Sequence, residues 1–377
     1  MKGFKDIRIY KENEGIVKGA IQFENGKISS FDACDELLSL GNKYIVVPGF
    51  IDEHIHGANG SDAMYATKKN LENIATSIAQ DGVTSFLATT MSMDLNSIKK
   101  ALKAIGDYES VNGATILGVH LEGPFISKKY CGAQDPNNIV KADISIVDDL
   151  INCSKDKIRI ITLAYEETDA NVLNYLINHN ILINLGHSDS NASQAKEAFK
   201  NGANCLTHTY NAMRGIHHRD IGLLGEGLIN DDIYCELIAD LHHVSADAIK
   251  LLYRNKPKDK VLLITDSMEA RFLPNGEYEL GGQKVYVKDG VATLSNGVLA
   301  GSVLRMNDAI RNVKNVLNIS LTTAIDLATK NVANHLKLNN KGSIALGKDA
   351  DLVVIDDELN VYMTIVNGKI VFQKENM

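Results

Sequence analysis

The sequence predicts an α/β protein: a (β/α)8 TIM barrel with a small β-sandwich domain formed from both chain termini. Three observations carry that prediction. Strand-like and helix-like segments alternate through the middle of the chain, eight strand candidates occur there, and both ends show short strands joined by Asn-Gly turns. Such alternation belongs to parallel β/α architecture, and eight strands is the number that closes a TIM barrel. A doubly wound open sheet is the rival, but no G-x-G-x-x-G follows the first strand.

Taken in order, residues 7–10, 16–23 and 27–31 have strand character, with Asn25-Gly26 as a hairpin turn between the last two. Residues 351–355, 362–366 and 370–372 mirror them, with Asn367-Gly368 as the turn. Neither end has the apolar residues for a core of its own, so one β domain of residues 1–46 plus 342–377 is expected. The barrel then occupies 47–341, with strands at 45–51, 85–89, 116–121, 158–163, 181–185, 203–207, 234–238 and 261–265. Helices are predicted at 69–80, 96–105, 171–179, 192–201, 246–254 and 303–316, with Asp189 and Ser190 as N-cap types before 192. Glycines around 275–298 mark a β insertion placed to help close an active site.

Composition narrows the function. The chain of 377 residues accommodates a barrel and a smaller unit, and its 45% hydrophobic and 23% charged content is that of an ordinary globular protein. A net charge of −8 argues against a nucleic-acid partner but admits an anionic small substrate received by local cations. Cys34, Cys131, Cys153, Cys205 and Cys235 form no C-x-x-C pair and read as reduced thiols. The N-terminus lacks a signal-peptide stretch and no apolar run is long enough to span a membrane, so a cytoplasmic location is expected.

The chemistry lies at predicted strand ends. An apolar run leads into His54-Ile55-His56, and i, i+2 side chains of a strand share a face, so both imidazoles aim at one point. Glu122, His187, His208 and Asp266 each close a later apolar segment, where a barrel places its functional groups. Taken singly, each has a plain structural reading: Glu122 as a turn residue, His187 and His208 as hydrogen-bonded strand-end histidines, Asp266 as a helix cap. Six such groups at strand ends favour a metal centre instead. Four imidazoles and two carboxylates suit Zn or Fe(II), with Mn and Co as further options, and exceed what one four-coordinate ion requires. Two ions bridged by Glu122 would use the surplus. A bound ion acidifies its water and polarises a carbonyl; Asp266 would take a proton from that water and return it to a leaving amine. The other histidines are less telling: His120 reads as a core residue, His179 and His335 as ordinary helix residues, and His217 and His218 as part of a polar loop. Cys131, on the loop after the third strand, reads as an inert thiol.

These motifs resemble the amidohydrolase superfamily and, within it, the N-acetylglucosamine-6-phosphate deacetylases. The resemblance covers nearly the whole chain and is carried by Pro48-Gly49-Phe50-Ile51-Asp52 with His54-x-His56, by His120-Leu121-Glu122-Gly123-Pro124-Phe125 and by Leu185-Gly186-His187-Ser188. Thr207-His208-Thr209-Tyr210-Asn211-Ala212-Met213, Ile238-Ala239-Asp240, Thr265-Asp266-Ser267 and Leu299-Ala300-Gly301-Ser302 complete it. It implies hydrolysis of the acetamide of N-acetylglucosamine 6-phosphate, with the galactosamine epimer as the alternative. Glu122, His187 and His208 would bind the metal common to the family, His54 and His56 would complete a second site, and Asp266 would be the acid/base. Substrate contacts would fall on Ala133, Gln134, Asn211, Ala212, Arg219, His243, Leu299, Ala300, Gly301 and Ser302. Arg219 would reach the phosphate of a neighbouring subunit, implying a homodimer, and its guanidinium fork suits that ligand.

Two departures stand out. Gln134 occupies a position where some relatives carry a carbonyl-polarising histidine. Asp240-Leu241-His242-His243-Val244 lacks the glycine of the usual Asp-Gly-Leu-His-Val, which makes both His242 and His243 candidates to face the substrate, with the alignment of the motif favouring His243. Other amidohydrolases, such as cyclic amidases, usually bridge their metals with a modified lysine, and no lysine stands at the Glu122 position. A non-catalytic sugar-phosphate sensor would be expected to have lost Asp266 or several ligands, and all are present.

Overall fold

A computed structural model describes residues 2–110 and 112–375. Eight strands form one sheet in sequential order: Phe50–Ile55, Val83–Thr89, Thr115–Glu122, Ile158–Leu163, Leu182–Leu185, Cys205–Leu206, Tyr234–Ile238 and Val261–Ile264. All neighbouring pairs are parallel. The first and last strands meet where the Asp266 N–H donates to the His54 carbonyl (2.9 Å) and the His56 N–H to the Ser267 carbonyl (2.9 Å). The predicted (β/α)8 barrel is observed, and its seam runs through three of the residues singled out for chemistry. Helices cover the outside, which is why the strands read as continuous apolar runs.

A second sheet draws on both ends of the chain. Its order is Lys369–Gln373, Val361–Val366, Leu352–Ile355, Ile45–Pro48, Gly3–Lys11, Gly15–Glu24 and Lys27–Ser30, with Leu38–Ser39 beside Gly3–Lys11. Phe4, Ile7, Ile9, Ile21, Val46, Leu352 and Val354 are buried in its own core. Both Asn-Gly pairs turn with positive φ, Asn25 at 50° and Gly26 at 77°, Asn367 at 49° and Gly368 at 73°. That is the geometry a two-residue hairpin requires.

Several local expectations need correction. The single strand expected at 45–51 is two strands in two sheets, Ile45–Pro48 and Phe50–Ile55, broken at Gly49. A Cβ at Gly49 would lie 2.2 Å from the Thr84 hydroxyl, so the chain crosses between sheets where only glycine fits. Both halves are buried throughout, so the apolar pattern carries no sign of the break. The helix Ala192–Lys200 is capped by Asn191, in a capping box with Gln194. Asp189 instead pairs with Arg214 and Lys129, and Ser190 donates to Glu166. His335 is fully buried, its Nδ1 3.0 and 2.9 Å from the two oxygens of Glu53 inside the barrel. The helix Gly222–Ile229 contains Gly225 and Gly227, poor helix formers whose close packing on Ile221 and Leu206 leaves no room for a Cβ.

The insertion after the eighth strand is a three-stranded antiparallel sheet, Gly276–Leu280, Gln283–Lys288 and Val291–Thr293. Leu280, Val285 and Val287 pack on Met91 and Met268, and the Gln283 amide donates to the Ala133 carbonyl. Among the described residues, no helix is long and apolar enough to cross a membrane.

Arg271 ties the seam together. Fully buried, it donates to Ser267 Oγ (3.1 Å) and Thr265 Oγ1 (3.4 Å), pairs with Asp81, and lies 3.7 Å from Asp52. Burial pushes the Asp52 carboxyl up to about 6 even against the pull of Arg271. Arg271→Ala would leave two buried carboxylates without their cation and should cost about 3–5 kcal/mol. Urea denaturation measures this, and a loss below about 1 kcal/mol would refute the bracing role.

Candidate metal centre and active site

The six strand-end residues converge. Glu122 Oε1 lies 3.2 Å from Nε2 of His187 and 3.2 Å from Nε2 of His208, and those two nitrogens are 3.1 Å apart. Glu122 Oε2 lies 3.4 Å from His56 Nε2. Asp266 Oδ1 lies 3.1 Å from His56 Nε2 and 3.4 Å from His54 Nε2. His54 is 0% exposed, and Asp266, the most open of the six, is 8% exposed. Backbone twist aims several of them: His187, His208 and Asp266 have φ of 48°, 29° and 47°, a region that non-glycine residues seldom occupy.

The ring nitrogens test whether a cation fits. Nδ1 of His54 bonds Glu236 Oε2 (3.0 Å), Nδ1 of His56 the Thr89 carbonyl (3.3 Å) and Nδ1 of His187 the Tyr130 carbonyl (2.8 Å). A neutral imidazole that donates through Nδ1 presents a lone pair at Nε2, so each of these rings, once any Nε2 proton is displaced by a cation, turns a lone pair to the centre. His54 Nε2 has no hydrogen-bond partner among the described residues. Two groups of ligand atoms, His54–His56–Glu122 and Glu122–His187–His208, share Glu122 and lie within 4.8 Å. Burial works against a charged His54, yet the carboxylates of Asp266, Glu236 and Glu122 outweigh it and lift the imidazole to about 10. The cluster attracts positive charge and has the donor set of a divalent-metal centre.

A model described as "Amidohydrolase family" matches residues 45–371. This chain belongs to the amidohydrolase family. It is 41% identical to the N-acetylglucosamine-6-phosphate deacetylase of Lysinibacillus sphaericus, over 89% of this chain and 88% of that one. It is 33% identical to the N-acetylgalactosamine-6-phosphate deacetylase of Escherichia coli O157:H7, over 96% of this chain and 97% of that one. The crystal structure of N-acetylglucosamine-6-phosphate deacetylase from Thermotoga maritima superposes with a TM-score of 0.90 at 34% identity, covering 98% and 99% of the two chains.

In this amidohydrolase a cavity of about 320 Å³ opens directly over the cluster. Ala133, Gln134, Asn211, Ala212, His243, Leu299 and Gly301 line it. Ala300 and Ser302 are buried behind the turn, where Ser302 donates to the Thr265 carbonyl. Arg219 lies elsewhere, beside Lys196, Arg214 and His218 in a separate cavity. Gln134 Oε1 accepts the Ser92 N–H (2.8 Å), while its Nε2 is buried without a partner among the described residues.

Two contributions escaped the sequence reading, and a third, from the inserted sheet, was expected only for the insertion as a whole. Lys129 and Tyr130 line the cavity, and Tyr130 fixes His187 through a backbone carbonyl, which no side-chain type announces. Leu280 brings the inserted sheet into the wall. Glu236 was legible in principle, as a lone carboxylate inside the apolar strand Tyr234–Ile238.

His243, not His242, faces the cavity. Leu241, in place of the usual glycine, takes φ 67°, the left-handed conformation that glycine adopts at little cost. Leu241→Gly is therefore expected to leave stability unchanged or raise it by up to about 1 kcal/mol. A thermal-unfolding loss beyond that size would contradict the account.

The His243 ring bonds Asp240 Oδ2 at 2.6 Å. Burial opposes both charges, but the pair's bond and attraction hold Asp240 below, and His243 above, their ordinary values. Stability from Asp240 is present above the unfolded carboxyl value of about 3.9 and is lost as pH falls through its lower folded value. Stability from His243 is present below about 6.5 and is lost as pH rises through its higher folded value. Asp240→Asn should therefore destabilise most between about pH 4 and 6.5. Equal losses in urea melts at about pH 5.5 and at strongly alkaline pH would rule this out.

Proposed function

We propose that this amidohydrolase removes the acetyl group of N-acetyl-D-glucosamine 6-phosphate, giving glucosamine 6-phosphate and acetate in amino-sugar catabolism and recycling. The observation that carries the reading is the cavity floor. Asp266 and a Gln134 amide with no partner among the described residues adjoin a five-residue nitrogen and oxygen ligand set, in a chain 41% identical to a deacetylase of that substrate.

Glu122, His187 and His208 would hold one divalent ion, and His54 and His56 with Glu122 a second, Zn or Fe(II) by donor type and Mn or Co as substitutes. When bound, such an ion polarises the amide carbonyl and acidifies a water molecule. Asp266 handles the proton. Burial alone would raise its carboxyl, but His54 and His56 outweigh that and hold it at about 2, so it is ionised and ready to accept at neutral pH. It takes the proton of the attacking water and hands it to the leaving nitrogen, general base and then general acid. Gln134, anchored through Oε1, is left with Nε2 to donate to the acetyl carbonyl. His243, charged against Asp240, receives the phosphate. Arg219, outside its own chain's cavity, would reach the phosphate held by a second subunit, making the working form a homodimer. The same reading puts the enzyme in the cytoplasm, as its five free cysteines suit, and divides it into a β domain and a barrel whose boundary falls at Gly49 rather than between 46 and 47, because Ile45–Pro48 pairs within the terminal sheet.

The relative named for N-acetylgalactosamine 6-phosphate supports the epimer as a second reading. Acetate release from both epimers, measured beside elemental analysis of the protein, decides between them. Faster turnover of the galactosamine compound would replace the first reading by the second. Asp266→Asn is expected to lower kcat by about 100-fold or more while metal content holds. Wild-type turnover in that variant would sink the mechanism.

A further inference from the structure

Glu236 is a fully buried carboxylate in the middle of the seventh barrel strand. A buried carboxylate without a cation is costly, so its neighbours matter. Its only ion-pair partner among the described residues is His54, whose Nδ1 lies 3.0 Å from Oε2. The same Oε2 accepts the backbone N–H of His208 (3.0 Å), and Oε1 accepts the side-chain amide of Asn184 (2.9 Å). His120 packs edge-on against the His54 ring but is bonded through both nitrogens elsewhere, to the Glu53 carbonyl and to Thr162 Oγ1. Glu236 thus reaches across the barrel from the seventh strand to the first, the fifth and the end of the sixth.

We propose that Glu236 is a positioning residue for the metal centre, coupling its two halves through one carboxylate. It commits His54 to donating through Nδ1, so that Nε2 presents its lone pair beside Glu122 and Asp266. It also holds the backbone of His208, whose φ of 29° gives it little support from ordinary helix or strand geometry. A carboxylate behind a metal-bound histidine fixes the ring's orientation and raises its basicity. The proposal rests on His54 and His208 being metal ligands, as read above.

Glu236→Gln separates positioning from folding. It keeps the side chain's shape, and Asn184 Oδ1, buried and without a partner among the described residues, can turn to accept the new amide hydrogens. The chelator-stripped protein would be titrated with Co(II) against a competing chelator, with thermal melts and the visible cobalt spectrum recorded alongside. Glu236→Gln is expected to fold as the wild type does and to bind one ion about 10–100-fold more weakly. In a His54→Asn/His56→Asn background, which has already lost that ion, the added substitution should cost much less than it does alone. Wild-type affinity for both ions in Glu236→Gln, or a loss that adds in full in that background, would overturn the proposal. Should Glu236→Gln fail to fold, Glu236→Asp, which keeps the charge but withdraws it, is judged by the same two outcomes. If His54→Asn/His56→Asn takes up cobalt as the wild type does, the ligand reading itself fails, and the proposal with it.

Discussion

One carboxylate serving several imidazoles is the constraint on which the rest of the structure depends. Glu122 puts one oxygen between His187 and His208 and turns the other toward His56, so residues from four strand ends must meet at one height. That height is reached only if the barrel closes in register, and the closing bonds are made by His54, His56 and Asp266 themselves. Fold and site are therefore one arrangement. The left-handed backbone at His187, His208 and Asp266 follows from it, since each chain must turn inward just as its strand ends. Such conformations cost of the order of 1–3 kcal/mol each and persist only where the surroundings over-determine them. The bonds from the Tyr130 carbonyl, Glu236 and the braced Thr265–Ser267 segment supply that support.

The legible part of this protein was its periodicity and its punctuation. Eight apolar runs, five of them ending in a potential ligand, were enough to expect the barrel and to collect His54, His56, Glu122, His187, His208 and Asp266 at one end of it. The two Asn-Gly turns marked the terminal hairpins for a reason internal to four residues. What stayed hidden was set by partners distant in sequence. The break at Gly49 answers to Thr84 across the sheet, and the burial of His335 to Glu53, some 280 residues away. The left-handed backbone at Leu241 was likewise not legible, because the residue type argues against it.

Along the barrel interior, buried carboxylates meet imidazoles repeatedly, and how the oxygens are divided gives each pair a different character. Glu53 gives both oxygens to one nitrogen of His335, a closed pair within the buried interior. Glu236 divides its oxygens among His54, the His208 backbone and Asn184, so it orients groups without approaching the cavity. Glu122 divides its oxygens among imidazoles of which two, His56 and His187, donate through Nδ1 to backbone carbonyls, and it borders the cavity itself. Only there do carboxylate charge, nitrogen lone pairs and access coincide. A divalent ion needs all three, and the same three conditions let a substrate amide reach whatever that ion activates. The chemistry is thus confined to the cavity end of the barrel by hydrogen bonds made out of reach of the substrate.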